Sequence, residues 1–65
     1  MKLKIEIDLD NAAFEDDAGL EVGGLLHRVA RKAESAGQDL LDPLWRCAIM
    51  DSNGNKVGEA TVEKG

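Results

Sequence analysis

Between Lys2 and Asp10 the chain alternates without a break. Leu3, Ile5, Ile7 and Leu9 take one set of positions, and Lys2, Lys4, Glu6, Asp8 and Asp10 take the other. Successive side chains of a strand point to opposite faces, so this segment reads as a strand with one apolar and one wet face. The period then changes. Over Ala18 to Ala36, the apolar Val22, Leu25, Leu26, Val29, Ala33 and Ala36 recur at the three-and-four spacing of one helical face. A half-buried strand followed by an amphipathic helix needs further strands to complete a sheet, and two follow. Leu44 to Met50 sets Trp45, Cys47 and Ile49 against Leu44, Arg46, Ala48 and Met50. Lys56 to Glu63 sets Gly58, Ala60 and Val62 against Val57, Glu59, Thr61 and Glu63. Asp51-Ser52-Asn53-Gly54-Asn55 lies between them, and Asn-Gly is a strong hairpin signal.

The order β-α-β-β defines an α+β fold, with residues 1–65 forming one domain. The helix reverses the chain, so the first two strands run the same way and the third runs opposite. Placing the third strand between them makes a three-stranded antiparallel sheet of order 1-3-2, with the helix packed on one face. Asp10-Asn11 ends the first strand, and Phe14 is expected to plug the core from the connection. Asp16 or Asp17 suits the helix N-cap and Gly37 suits the position just past its end. Gly23-Gly24 implies either a late helix start or a close approach to another backbone. Gly58 and Ala60 would leave room for the helix. The expected core is Ile5, Ile7, Leu25, Leu26, Val29, Trp45 and Ile49. Leu44, Ala48 and Met50 leave an apolar patch on the outer face of an edge strand, so the chain is expected to be a monomer or a weak homodimer.

Composition limits what such a chain can do. Its one cysteine, Cys47, permits no internal disulfide, and one Cys with one His cannot build a structural zinc site. A lone thiol fits a reducing compartment. No signal peptide and no membrane span are expected. The net charge of −5 argues against nucleic acid or an anionic membrane as a direct ligand and favours a basic partner. The segment from Asp51 misses the calcium-loop spacing, because Gly54 comes too early and Val62 stands where the glutamate should be. Gly19 and Gly23-Gly24 do not make a phosphate loop. His27 reads as a surface or boundary residue, and Cys47 as a small hydrophobe. No nucleophilic triad can be assembled, and a one-layer sheet offers little pocket to perturb a carboxylate pair. The expectation is no enzyme activity, no cofactor and no metal.

The acids themselves are unevenly placed. Residues 4 to 21 hold seven carboxylates and one basic residue, Lys4. Alternation puts Glu6, Asp8 and Asp10 on the open sheet face, with Glu59 and Glu63 beside them on the third strand. Alternate residues recur about every 6.6–6.8 Å along a strand, roughly two phosphate steps of about 3.4 Å. Glu15, Asp16 and Asp17 extend this surface at one end. Arg28, Arg31 and Lys32 lie on the helix, so an electrically two-sided molecule is expected, with these eight acids as the partner-binding set.

The opening "KIEIDLDNAAFED", the helix "LLHRVARKAESAG" and the closing "DSNGNKVGEATVE" resemble a group of small acidic proteins encoded by phages and prophages. These pair a K-I-x-I-x-x-D-N-A-A-F opening with a late N-G-N-x-V-G hairpin. Gly23-Gly24 departs from the more continuous helix of the group. Some small acidic phage proteins of this kind are anti-CRISPRs. The resemblance implies a binding protein in the host cytoplasm that blocks DNA binding by a type I CRISPR–Cas surveillance complex. Its partner would be a basic DNA-binding surface of a Cas protein, met by DNA mimicry. The alternative is a small phage accessory module that binds another protein; a small hydrolase or nuclease is the remaining class. The resemblance supplies no functional residues.

Overall fold

A computed structural model describes residues 1–64. Strand β1 spans Lys2–Ile7, helix α1 spans Ala18–Ala36, and strands β2 and β3 span Arg46–Met50 and Lys56–Glu63. The sheet is antiparallel throughout, in the order β1-β3-β2. Short 3₁₀ turns at Ala12–Phe14 and Gly37–Leu41 flank the helix. The expected fold class and strand order are therefore those observed.

Side-chain chemistry sets the boundaries. β1 stops at Ile7 because the Asp8 carboxylate accepts the Asp10 amide at 3.0 Å and bends the chain. β2 starts two residues later than alternation suggests. The Asp42 carboxylate accepts the Leu44 amide at 2.9 Å, and the Asp42 carbonyl accepts the Trp45 amide at 2.8 Å. Asp17 caps α1, its carboxylate accepting the Leu20 amide at 3.0 Å. Gly37 ends the helix at φ 56°, donating to the carbonyls of Ala33 and Glu34.

The helix starts at Ala18, ahead of Gly23-Gly24, and a Cβ at either glycine would meet open space. Neither a late start nor a close backbone approach explains the pair. Gly58 has a different reason from the one expected. A Cβ there would lie 1.9 Å from the Glu6 carbonyl oxygen, so the absent side chain makes room for β1, not for the helix.

The core consists of Phe14, Leu25, Val29, Ile49, Val57 and Ala60, with Ile7, Val22, Trp45 and Cys47 packed against it. Phe14 enters from the connection as expected. Strict alternation places Val57 on the outer face, yet it is buried. Ile49 pairs with Gly58 while Met50 pairs with Lys56, so β3 carries an extra residue there, and this bulge turns Val57 inward. Two other expectations fail. Ile5 is 39% exposed and Leu26 is 42% exposed. The helix packs over β2, not β1: Arg28 and Lys32 line a cleft with Cys47, Ala48, Ile49 and Met50. Leu26 lies on another flank of the helix, exposed beside Gly23, His27 and Ala30.

Two ties hold the helix in that place. The carboxylate of Glu21, in its first turn, accepts the Ser52 amide at 3.0 Å and the Ser52 hydroxyl at 3.3 Å. That joins the helix start to the β2–β3 turn. The turn itself is held by Asp51, whose Oδ1 accepts the amides of Asn53 at 2.9 Å and Asn55 at 2.8 Å, with Gly54 at φ 83°. At the far end, residues 37–45, including the 3₁₀ turn Gly37–Leu41, join the helix to β2.

Candidate functional site

The outer sheet face is not the continuous field of carboxylates that a count of acids suggests. Register and alternation put Glu6, Asp8, Glu59 and Glu63 on it, but also Lys2, Lys4, Arg46 and Lys56. Lys4 Nζ lies 2.8 Å from Glu6 Oε1, and Lys56 Nζ lies 3.7 Å from Glu59 Oε2. The Lys4 ammonium holds the Glu6 carboxyl below the usual carboxylate range, and Glu6 in turn raises Lys4. Lys2 stands opposite Glu63, and Arg46 opposite Thr61. This face is balanced in charge. The alternation that turns Glu6 outward turns Lys2 and Lys4 outward as well, so the cations were legible alongside the acids.

The net negative charge lies elsewhere. From Asp10 to Glu21 the chain carries Asp10, Glu15, Asp16, Asp17 and Glu21 and no basic residue. These acids wrap the 3₁₀ turn and the start of α1. Asp16, Asp17 and Glu21 line a shallow notch with Leu20, Ser52 and Asn53. Asp17 and Glu21 are engaged, one as cap and one on Ser52. Among the described residues, Asp10, Glu15 and Asp16 make no side-chain hydrogen bond or ion pair and point their charge into solvent. Glu21 lies outside the acids expected from sequence to bind a partner. Its signal is the first-turn position after an N-cap, where acids complement the positive end of a helix.

The eight sequence-predicted acids thus divide. Glu6, Asp8, Glu59 and Glu63 share the mixed sheet face, while Asp10, Glu15, Asp16 and Asp17 share the cation-free end. The helix cations also divide, with Arg28 and Lys32 beside the β2 cleft. Cys47 is half-buried against the core and His27 is exposed. Among the described residues no three His, Cys, Asp or Glu side chains converge where a metal ion could bind, and no helix is long and apolar enough to cross a membrane. No family model matches the chain, and no curated protein or solved structure matches it.

Proposed function

We propose that this chain is a protein-binding module that places its acidic end, Asp10 to Glu21, against a basic nucleic-acid-holding surface. On the resemblance of its opening, helix and closing segments to small acidic phage proteins, the target is a type I CRISPR–Cas surveillance complex, and the result is loss of DNA binding. The observation that supports the reading is the separation of charge. The sheet face balances its acids with cations, whereas the end presents five carboxylates with none. A channel lined with Lys and Arg to hold a DNA or heteroduplex backbone is complementary to that end.

The test is target-DNA binding by a purified type I surveillance complex, with and without this protein. Inhibition that weakens steeply as salt rises supports the reading, since screening acts on exposed charges. Two variants locate the surface. Asp10→Asn/Glu15→Gln/Asp16→Asn is expected to keep the fold and lose inhibition. Glu6→Gln/Glu59→Gln/Glu63→Gln is expected to inhibit as the parent does. Equal DNA binding with and without the protein would remove the anti-CRISPR reading. Loss of inhibition only in the second variant would move the contact to the sheet face. The second reading, an accessory module that pairs with another protein through its sheet, is favoured by one specific observation: the uncovered apolar side of β1.

A further inference from the structure

β1 is an edge strand, paired on one side only, with β3. Its apolar side chains are Leu3, Ile5 and Ile7. They lie on the helix side of the sheet, opposite Val62, Ala60 and Gly58, but Leu3 is 49% exposed and Ile5 39%. The alternation marks these residues as core, and the single chain does not cover them. An uncovered apolar edge strand is a template for pairing with another strand.

We propose that β1 pairs antiparallel with β1 of a second copy of this chain, making a two-fold dimer with a continuous six-stranded sheet. The sequence of the strand selects the second copy as occupant, because its charge pattern is self-complementary. An antiparallel pairing centred on Ile5 sets Ile5 against Ile5, Leu3 against Ile7, Lys4 against Glu6 and Lys2 against Asp8. Every charged position then meets its opposite and every apolar position meets an apolar one. The neighbouring registers that keep the same faces together do not achieve this. Centring on Lys4 sets two ammonium groups opposite each other, and centring on Glu6 sets two carboxylates opposite each other. Like charges directly opposite are destabilising in a sheet.

The backbone fits the same register. The Asp8 amide donates to the Val57 carbonyl of β3 at 2.7 Å. Amide direction alternates along a strand, so the even-numbered residues of β1 face β3. The N–H and C=O groups of Leu3, Ile5 and Ile7 therefore face the open edge. In the dimer these residues exchange bonds reciprocally, Ile5 with Ile5 and Leu3 with Ile7. The pairing also serves Glu6, which stands opposite Glu59 on the β3 side. The second copy brings Lys4 to its other side. The isologous contact closes on itself, as a two-fold interface requires, and leaves no free β1 edge.

The test is the solution mass across a concentration series, by sedimentation or light scattering, of the parent and two single variants. The parent is expected to approach twice its 7.0 kDa. Lys4→Glu and Glu6→Lys each turn two attractive pairs into two repulsive ones, and each is expected to weaken the dimer by about tenfold or more. Both positions are solvent-facing, with side chains 53% and 70% exposed, so the fold survives either change. Mixing the two variants is the decisive step. In the mixed pair, the strand with the Lys4→Glu change carries only acids at these two positions, and the strand with the Glu6→Lys change carries only cations. Both cross-strand pairs are opposite in charge again, and a heterodimer is expected to form more tightly than either variant alone. A parent that stays monomeric at millimolar concentration overturns the proposal. So does a dimer that both variants and their mixture retain unchanged, which would place self-association on the β2 edge at Leu44, Ala48 and Met50.

Discussion

Ile49 on β2 is 3% exposed, while Leu3 and Ile5 on β1, facing the same side of the same sheet, are 49% and 39% exposed. The strands differ little in pattern. They differ in what lies above them. α1 is tied to the β2–β3 turn through Glu21 and Ser52 and packs beside β2, where Arg28 and Lys32 meet Cys47 to Met50. One helix on three strands leaves one strand bare, and the tie from Glu21 to Ser52 holds the helix on the side away from β1. Alternation therefore reports the side a residue faces, and a second layer decides whether that side is dry.

The contrast can be broken most forcefully in the core. A 65-residue chain has a core expected to supply only about 3–5 kcal/mol. Leu25 is 1% exposed, and Leu→Ala at such a site costs about 2–5 kcal/mol. Leu25→Asp, which adds a buried charge, is expected to leave no cooperative melt by circular dichroism. Leu26→Asp is expected to melt cooperatively near the parent, because that side chain is 42% exposed. If Leu26→Asp also unfolds the chain, that flank of the helix contributes to the core far more than its exposure indicates.

The glycines sharpen the same comparison at a smaller scale. Gly58→Ala drives a methyl group into the Glu6 carbonyl, backbone that cannot yield without shifting β1. A loss of about 1–3 kcal/mol is expected, typical of forced overpacking. Gly24→Ala meets nothing and is expected to stabilise by about 1 kcal/mol through helix propensity. Urea midpoints of the two variants, moving in opposite directions from the parent, are the measurement.

The smallest effect concerns the Lys4–Glu6 pair on the outer face of β1. Lys4 lowers the Glu6 carboxyl and Glu6 raises the Lys4 ammonium. Glu6 with a depressed folded value contributes stability above its unfolded value and loses it as pH falls through the folded one. Lys4, raised, contributes below its unfolded value and loses it as pH rises through the folded one. Both groups are exposed, so the contribution is small. The difference in urea midpoint between the parent and Glu6→Gln is expected to be slight and flat near neutrality. It should shrink as pH falls below the ordinary glutamate value of about 4.3 and vanish once the lowered Glu6 carboxyl is itself protonated. A difference that persists in acid would show that the glutamate acts through packing rather than charge.

The element order, the sheet order, the caps at Asp17 and Gly37 and the plugging role of Phe14 were legible because each rests on local chemistry: a period, an Asx oxygen, a glycine at positive φ. The inward turn of Val57 was not, because a bulge moves a side chain across the sheet without altering the residue pattern. The exposure of Ile5 and Leu26 was not, because helix placement depends on a contact between Glu21 and Ser52, far apart in sequence. The acidic surface was half legible. Its acids were found, but its lean toward Asp10 to Glu21 appears only when Lys2, Lys4, Arg46 and Lys56 are set on the sheet face beside the acids they neutralise.

The pairing of β1 with β3 alone has a consequence for how the chain emerges during synthesis. Its pairs run from Ile7↔Gly58 to Lys2↔Glu63, so residues 8–57 separate the first strand from the one strand it pairs with among the described residues. Helix α1 and the β2–β3 hairpin can form as their residues leave the ribosome, but β1 cannot join the sheet until Gly58 to Glu63 have appeared. Closure of so distant a pair is slow relative to hairpin formation. Throughout that wait the nascent strand shows its apolar row of Leu3, Ile5 and Ile7 and an unpaired backbone on both edges.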